Sequence, residues 1–343
     1  MAEVGSARQR CGLGNNVGDV GIVVIGRNEG DRLKTCLKAA VATRLPIVYV
    51  DSASTDGSLE TARGFGVDVV ALDASTRLGP SRARNTGATR LLALDRTVRF
   101  IQFVDGDCEL ADGWISNGMR RLIAAPDVAV VCGLLRERFP TASIYNKLCD
   151  IEWDAPIGEA PHCGGNCMIR ADVFLHVGGF DPEVVAGEEP ELCLRLRKRG
   201  WRVLRTDDPM ATHDAAMTRM RQWWKRAIRC GHAYAQGASM HGSSPQRHWV
   251  RETRRAWALG FFLPLLAFAT AWHSHGLSLL LLLLYPAQFF WVYRRARKRP
   301  LSPTYAAAYA LSAVASKFGE VYGIWKFGIR HLRGGPMQLI EHR

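Results

Sequence analysis

The sequence has few acidic residues in its last third. Residues 216–343 carry 19 Lys and Arg against 3 Asp and Glu, whereas residues 1–215 carry 26 against 29. The formal net charge of +13 therefore lies wholly in the last third, and it suggests an anionic partner, either nucleic acid or a membrane surface. No nucleic-acid-binding motif accompanies the basic residues, so we expect membrane lipids and no nucleic acid.

The sequence also has no C-x-x-C pair among its nine cysteines, which argues against a zinc site. Several cysteines lie in apolar runs, and buried free thiols suit a reducing cytosolic compartment. Residues 1–16 have no apolar segment, so we expect no signal peptide there and interpret residues 1–18 as a flexible tail.

Charged residues are missing from positions 256–293. Ala256–Trp272 and Leu277–Tyr293 are two uncharged stretches of 17 residues, separated by four polar or glycine residues. Each is at the short end of the roughly 17–25 residues that span a bilayer. The pattern predicts a transmembrane helical hairpin over 256–293, and a re-entrant hairpin is the alternative because Pro264 and Pro286 could bend the helices.

Basic residues flank this hairpin on both sides, whereas its connecting turn has no Lys or Arg. The positive-inside rule then places both ends, and the preceding domain, on the cytoplasmic side of a plasma or inner membrane. Residues 216–255 predict basic amphipathic interfacial helices, because one helical face opposite Arg and Lys carries Met220, Trp223, Trp224, Ala227 and Ile228. A helix packed on the globular domain is the alternative. Residues 294–343 predict a further basic interfacial helix and a tail.

Strands and helices alternate between Asp19 and about Val131, which indicates β-α-β units. The strands are continuously apolar, as expected where both sheet faces are covered. We therefore predict an α/β, Rossmann-like nucleotide-binding domain with a mostly parallel sheet over residues 19–215. Trp201–Leu204 is predicted as an edge strand. Ligands bind such sheets at the carboxyl ends of the strands.

Asp105 and Asp107 follow the predicted strand Phe100–Val104, separated by Gly106. On an extended backbone the two carboxylates point to one face, where they can hold a hard divalent cation such as Mg²⁺ or Mn²⁺. An enzyme that breaks a sugar–diphosphate bond needs such a cation to neutralise the leaving group. The alternative is an Asp-Gly turn.

Seven short motifs together resemble the family 2 glycosyltransferases, and they occur in the order found in that family over roughly residues 20–215. They are Val23–Glu29, Val50–Ser58, Arg82–Gly87, Val104–Asp107, Gly164–Arg170, Gly178–Asp181, and Gly187–Leu192 with Arg195-Leu196. The resemblance implies the GT-A type fold and a nucleotide-sugar donor.

The resemblance also implies roles for particular residues. The donor-binding residues would be Arg27, Asn28, Glu29, Asp51, Ser54, Arg84, Asp105 and Gly106. Asp105, Asp107 and His213 would hold the metal, although a lone His is usually structural. The donor-sugar and acceptor pocket would involve Gly164, Gly165, Asn166 and Glu188. For Arg84 the alternative is a solvated helix face.

Glu189 is the predicted general base. An inverting transfer needs one carboxylate to take the proton from the acceptor hydroxyl as that hydroxyl attacks the anomeric carbon. The family usually has Glu-Asp where this chain has Glu188-Glu189, so the second acid takes this role. The alternative is a group of acids that complement the dipole of the helix.

The predicted function is that of an inverting, metal-dependent glycosyltransferase. It would transfer a sugar from a UDP- or GDP-sugar to a lipid-linked or membrane-proximal saccharide. The pathway would be surface polysaccharide or cell-envelope synthesis. The Q-x-x-R-W motif of processive family members is absent, since the comparable region reads Arg221 to Arg226 as RQWWKR. Single-sugar transfer is therefore favoured. A polyprenyl-phosphate sugar synthase is the close alternative, and a nucleotidyltransferase or an inactive membrane scaffold are further ones. The sequence does not indicate an oligomeric state.

Overall fold

The computed structural model describes residues 17–334, and the predicted tail at residues 1–18 lies almost entirely outside them. The amino-terminal part alternates strands and helices. They are β1 (Val20–Gly26), α1 (Asp31–Ala42), β2 (Ile47–Asp51), α2 (Ser58–Gly64), β3 (Asp68–Ala71), α3 (Pro80–Leu94), β4 (Phe100–Asp105), β5 (Cys108–Leu110), α4 (Trp114–Ala124) and β6 (Val128–Glu137).

The remaining elements alternate less regularly and end in a group of helices. They are α5 (Ile144–Trp153), β7 (Gly158–Glu159), β8 (Cys167–Arg170), α6 (Ala171–His176), α7 (Glu188–Lys198), β9 (Arg202–His213), α8 (Met220–His241), α9 (Val250–Trp257), α10 (Leu263–Ala269), α11 (Leu284–Ala296) and α12 (Pro303–Leu332).

The strands form one sheet in the order β3-β2-β1-β4-β8-β6-β9-β5, with β7 paired to β9. The first four strands are parallel, as are β6 and β9, whereas β8, β5 and β7 pair antiparallel. This arrangement confirms the predicted α/β class. The carboxyl ends of β1, β2 and β4 meet at one edge of the sheet, which is where ligands bind in folds of this type.

The predicted edge strand at Trp201–Leu204 was wrong. Strand β9 extends to His213 and lies between β6 and β5, inside the sheet. The sequence conceals it because Thr206, Asp207 and Asp208 interrupt the apolar pattern, and because its pairing with β6 contains register shifts. The extra length matters, since it brings His213 beside β5.

Helix α3 packs closely on the parallel strands because Gly87 has no side chain. A Cβ at this position would overlap Val23 of β1 and lie 3.0 Å from Val50 of β2. The strands beneath are fully buried, so the helix rests on a rigid surface. This packing fixes the depth at which α3 presents Arg84 to the edge of the sheet.

Helix α8 packs on α12 through small residues. Gly231 on α8 and Gly323 on α12 leave no space for a Cβ against the other helix. Trp223, Ala227 and Ile228 are buried in the protein. Packing therefore accounts for these three residues of the predicted apolar face, as the alternative of a packed helix requires, whereas Met220 on the same face is 63% exposed.

Residues 250–296 form a helical hairpin. Its first arm joins α9 to α10 through a π-helical turn at Ala258–Phe262, and its second arm joins a 3₁₀ segment at Leu277–Leu283 to α11. Within residues 17–334, Leu277–Ala296 alone is long and apolar enough to cross a membrane by length and composition. The apolar part of the first arm ends at Ala269 and spans about 21 Å, short of a roughly 30 Å hydrocarbon core. These lengths favour the re-entrant alternative over two full spans.

The base of the hairpin is attached to the sheet domain. Arg299 donates hydrogen bonds to the Ile151 carbonyl oxygen (2.8 Å) and to Asp154 Oδ2 (2.8 Å) beside α5. Many apolar side chains of the hairpin are exposed in the structure. Those at least 50% exposed are Phe262, Leu265, Leu266, Phe268, Trp272, Leu277, Leu280, Leu283, Leu284, Phe290 and Trp291.

Candidate active site

A cleft of about 690 Å³ opens at the carboxyl edge of the parallel strands. This volume lies within the range of ordinary small-molecule sites. Its walls come from the β1–α1 loop, the start of α3, the β4–β5 turn, the start of α7, and α5 and α8. The lining residues include Arg27, Asn28, Glu29, Arg32, Ser52, Gly79, Arg84, Asp105, Gly106, Asp107, Trp153, Glu188, Glu189, His213, Met217, Arg226 and Arg229.

Arg84 lies at the centre of an acidic cluster in this cleft. Its Nη2 donates to Asp105 Oδ1 at 2.8 Å and lies 3.3 Å from Glu189 Oε1. Its Nη1 donates to Glu188 Oε1 at 3.0 Å. The guanidinium is 2% exposed, so three carboxylates from β4 and α7 share one buried cation.

This pairing excludes one of the roles considered for Arg84 in the sequence. The side chain is not on a solvated helix face, because it is buried. Both terminal nitrogens contact carboxylates, so the residue orients the acids. Arg84 also lines the cleft, and its Nε is buried without a hydrogen-bond partner among the described residues.

The pKa of Glu189 lies near neutral pH, as a general base requires. Burial and the adjacent Glu188 carboxylate raise its pKa to about 7, while Arg84 opposes this effect. The carboxylate faces the cleft and keeps 15% of its side chain exposed. A general base works best when its pKa lies near the working pH.

The glycine-rich segment that precedes β8 contacts Asp105. Asn166 accepts a hydrogen bond from the Asp105 backbone N–H at 3.1 Å and is 2% exposed. A Cβ at Gly165 would overlap the Asp105 carboxylate and approach Arg84 Nη2 at 2.7 Å. Gly164 and these two residues were predicted to shape the sugar pocket. Gly165 and Asn166 contact Asp105, which lines the cleft, whereas an added Cβ at Gly164 would have no neighbour within 4 Å.

Asp107 and His213 form the second acidic feature of the cleft. His213 Nε2 lies 2.9 Å from Asp107 Oδ2, and the imidazole stacks on Trp153 with ring centroids 4.4 Å apart. Burial lowers the pKa of His213, so the ring is neutral and can act as a ligand. Its Nδ1 is buried without a hydrogen-bond partner among the described residues.

This pair fits a divalent cation. Two neighbouring ligands of an octahedral ion at about 2.1 Å lie about 3.0 Å apart, close to the observed separation. Cys108 places its sulfur within 4.8 Å of both ligand atoms, but burial raises the pKa of its thiol well above the usual value. The neutral thiol is a poor ligand for a hard cation, so Asp107 and His213 are the candidate ligands, with Asp105 nearby.

Two loops meet on the opposite side of the cleft. The Asn28 N–H donates to Ser54 Oγ at 2.9 Å, and Asn28 Oδ1 accepts from the Thr55 N–H at 2.8 Å. Asn28 adopts a left-handed backbone conformation, with φ at 56°. Arg27, Asn28 and Glu29 thus face the cleft as predicted for donor-binding residues, while Ser54 joins the loops together.

Asp51 differs from its predicted contact with the nucleotide base. It is 2% exposed and does not line the cleft. Its carboxylate accepts hydrogen bonds from the Tyr49 hydroxyl at 3.0 Å and from the Ser54 N–H at 2.8 Å. The acid therefore folds the loop after β2, and the neighbouring Ser52 occupies the cleft wall.

Several lining residues were not predicted from the sequence. Trp153, Met217, Arg226 and Arg229 come from α5, α8 and the segment before α8, where the chain has no recognisable motif. Arg226 forms an ion pair with Glu152 on α5. The basic face of α8 was visible in the sequence, but the contact that brings α8 to the cleft is long-range.

Two protein-family models match this chain, and known glycosyltransferases are similar to it. The model described as Glycosyl transferase family 2 matches residues 21–178, and the model described as Glycosyl transferase family group 2 matches residues 135–313, about half of the chain. The pre-mycofactocin glycosyltransferase of Mycobacterium tuberculosis is 27% identical over 236 residues, or 65% of this chain and 48% of that protein. The chain thus spans about half the length of this relative.

A second relative and a solved structure point the same way. Glycosyltransferase AglE of Haloferax volcanii is 24% identical over 57% of this chain and 67% of its own length. The mannosyltransferase PcManGT from Pyrobaculum calidifontis, solved in complex with GDP-Man and Mn²⁺, superposes with a TM-score of 0.61 at 20% identity, covering 90% of this chain and 86% of that one. This likeness shows a shared fold. The chain belongs to the family 2 glycosyltransferases and has the GT-A type fold.

Proposed function

We propose that this enzyme is an inverting, divalent-cation-dependent glycosyltransferase that moves one sugar from a nucleotide-diphosphate donor to a membrane-proximal acceptor. The observation that carries the proposal is the Arg84 cluster, which places Glu189 and Asp105 on the same guanidinium at the rim of one cleft. Glu189, which would take the proton, and Asp105, which lies beside the candidate metal site, thus line the same cleft.

The donor would lie across the β1–α1 loop and the β4–β5 turn. Arg27, Asn28 and Ser52 supply polar groups at one end of the cleft, and Asp107 with His213 would hold the cation beside the diphosphate. When bound, the cation would neutralise the charge that develops on the departing nucleotide diphosphate. The structural neighbour that holds GDP-Man and Mn²⁺ supports a donor and a cation of this kind.

Glu189 would take the acceptor proton. Its raised pKa leaves a substantial fraction ionised near pH 7, and that form has a high affinity for a proton. Glu188 points its Oε1 to Arg84 and stays buried, so it serves as an electrostatic partner that keeps the pKa of Glu189 high. An inverting reaction then needs no further carboxylate.

The acceptor would enter from the side of α8. Met217, Arg226 and Arg229 line the cleft there, and the same helix leads to the exposed hairpin. Arginine side chains at this end favour an acceptor that carries phosphate, and the apolar hairpin favours one that sits in a membrane. A lipid-linked saccharide and a polyprenyl phosphate both meet these two requirements.

The membrane would hold the hairpin on the cytoplasmic side, where nucleotide sugars are made. Large apolar side chains are exposed on both arms, and the residues from 216 onward carry a net charge of +16. Apolar exposure together with positive charge is typical of attachment to anionic bilayers. A role in surface polysaccharide or cell-envelope synthesis follows from such an acceptor, and the succinoglycan biosynthesis protein ExoA of Rhizobium meliloti, 24% identical over 54% of this chain, supports it.

The test is to incubate the purified protein with a panel of UDP- and GDP-sugars, Mn²⁺ or Mg²⁺, and a short-chain polyprenyl phosphate or lipid-linked saccharide. We expect one donor to release free nucleoside diphosphate. In a parallel reaction with a nucleoside triphosphate and a sugar 1-phosphate, release of pyrophosphate would instead indicate a nucleotidyltransferase. Asp68→Asn, which alters an exposed ion pair with Arg90, is the matched control. Release that is unchanged in both Glu189→Gln and Asp107→Asn would contradict the proposal.

A further inference from the structure

The segment between α8 and α9 contacts the helix that carries Glu189. The indole of Trp249 covers Gly187, the residue directly before α7, so closely that a Cβ there would overlap the ring. On its other side the ring lies against Gly237 of α8, where an added Cβ would be 2.5 Å from Trp249 Cε3. Two glycines thus form a slot that accepts the indole.

Other contacts hold the indole in this slot. The ring stacks on His248 with centroids 4.3 Å apart and meets the edge of Tyr234 at 5.4 Å. The backbone of Trp249 has φ at 56°, a left-handed conformation that is rare for a bulky residue. Such strain persists only where the surrounding structure imposes it. The position of this ring is therefore a built feature of the fold.

Trp249 is also the residue at which the hairpin begins. Helix α9 starts at Val250, and the Thr253 N–H donates to the Trp249 carbonyl oxygen in its first turn. From there the first arm continues through the π-helical turn to Ala269 without a break in helical structure. A change in the angle of this arm must therefore act on the backbone of Trp249.

Two further contacts tie α8 to the catalytic helix. Gln236 holds the loop before α7, because it accepts from the Val185 N–H at 3.1 Å and donates to the Glu183 carbonyl oxygen at 2.6 Å. His241 Nε2 lies 2.9 Å from Glu191 Oε1 in the first turn of α7. The start of α7, which Arg84 holds from the side of α3, is thus also held by elements that lead into the hairpin.

We propose that Trp249 is a positioning residue that couples the hairpin to the catalytic helix, so that seating the hairpin in an anionic bilayer sets the position of Glu189 and increases turnover. Glu189 lies two residues beyond Gly187, the residue that the indole covers. A displacement of about 1 Å at a reacting group can cost about 100-fold in rate. The kinetic part of this inference rests on the proposed function, whereas the coupling itself is measurable without turnover.

The first test measures amide hydrogen exchange in the full-length protein, with and without vesicles of zwitterionic and anionic phospholipid. In the parent protein we expect vesicles to slow exchange in the α7 peptide 187–198 as well as in the hairpin. In Trp249→Ala the hairpin should still respond, while α7 should not. Trp249→Phe keeps an aromatic ring in the slot and should retain the α7 response.

Gly237→Ala provides a second route to the same test. Its added methyl group displaces the indole from the side of α8 without touching α7, and it suits a helix interior. We expect this variant to lose the α7 response even if Trp249→Ala fails to fold. The proposal is overturned if α7 in the parent does not respond to vesicles, or if α7 in either uncoupled variant responds like the parent.

The second test is kinetic. Trp249→Ala should lower kcat about tenfold, lose its stimulation by vesicles, and keep the donor KM within about twofold, because the donor loops do not contact the slot. Equal loss in kcat and donor affinity would indicate general damage and overturn the positioning role. If the parent protein releases no nucleoside diphosphate from any donor, the proposed function fails, and the exchange experiment still decides the coupling.

Discussion

The cleft of this protein buries charged groups, whereas the hairpin exposes large apolar ones. In the cleft, Arg84, Glu188 and Asp107 are charged groups that are at most 5% exposed. In the hairpin, Leu280 and Leu283 are 60% exposed and Trp272 at the turn is 88% exposed. Burial of charge is sustained by pairing, and exposure of large apolar groups is favourable only in a medium that is itself apolar.

This contrast is what the proposed membrane attachment of the hairpin would require. The charges of the cleft come from α3, β4 and α7, which rest on a buried sheet, so their geometry does not depend on solvent. The exposed apolar groups come from the hairpin, which packs on α12 and, through α9, on α8. Substitutions in the cleft should therefore change chemistry and leave membrane binding intact. Substitutions among the exposed apolar groups of the hairpin should weaken membrane binding and leave turnover in the absence of vesicles unchanged.

The largest expected effect is that of Glu189→Gln. Removal of the general base should lower kcat/KM for transfer by about 10²–10⁴-fold, the usual contribution of such a group. Vesicle binding should be unchanged, because Glu189 lies in the cleft. Nucleoside diphosphate release and vesicle co-sedimentation, measured on the same preparation, check both statements. A Gln variant with parental turnover would remove Glu189 from the mechanism.

Metal removal should have the next largest effect. Chelation should lower turnover at least about 100-fold, and Mn²⁺ or Mg²⁺ should restore it, since the leaving diphosphate would otherwise stay unneutralised. Asp107→Asn should raise the cation concentration needed for half-maximal rate, because one of two candidate ligands loses its charge. Titration of the cation against initial rate measures this shift. Full activity in the presence of a chelator would contradict the assignment of this site.

Leu280→Arg tests the other half of the comparison. An arginine within an apolar membrane helix costs about 2.5–3.5 kcal/mol, so vesicle affinity should fall about 50-fold or more. Leu94→Arg is a matched control, because Leu94 is 49% exposed but lies at the end of α3, away from the hairpin. Co-sedimentation with anionic vesicles measures both. Equal binding of the two variants would place the membrane contact elsewhere.

A smaller effect is expected for Gly165→Ala. Its methyl group would overlap the Asp105 carboxylate, so Asp105 and the Arg84 cluster must shift. We expect a loss of about tenfold in kcat/KM, in line with a sub-ångström displacement of acting groups. The matched variant Gly164→Ala has no atom within 4 Å of the added Cβ, although its φ of 81° adds backbone strain. Initial rates and thermal unfolding of both variants separate displacement from strain.

The sequence predicted the elements of the sheet domain well because their signals are local. The apolar strands, the acids after β4 and the first residues of α7 carry their patterns within a few residues. The hairpin could also be predicted from the sequence, because two uncharged stretches with basic flanks are easy to recognise. The length of its first helical arm could not be predicted, because that length depends on where Thr270 ends the arm.

The sequence was least informative where a side chain's contacts depend on folded geometry. Asp51 has the position of a ligand-binding acid, and its oxygens accept hydrogen bonds from the nearby Tyr49 hydroxyl and Ser54 N–H. Arg84 resembles a residue that contacts phosphate, yet its three carboxylate partners lie 21 to 105 residues away. Trp249 has no local signal at all, because its slot is formed by glycines of α8 and of the segment before α7.

The pH dependence of kcat/KM tests the central claim most directly. The pKa of Glu189 is raised from its ordinary value of 4.5 to about 7, and a general base acts only when ionised. The rate of nucleoside diphosphate release from the parent should therefore rise about tenfold per pH unit below pH 7 and level off above it. In Glu189→Gln this break should disappear from the residual rate. A break near pH 7 that persists in the Gln variant would contradict the account.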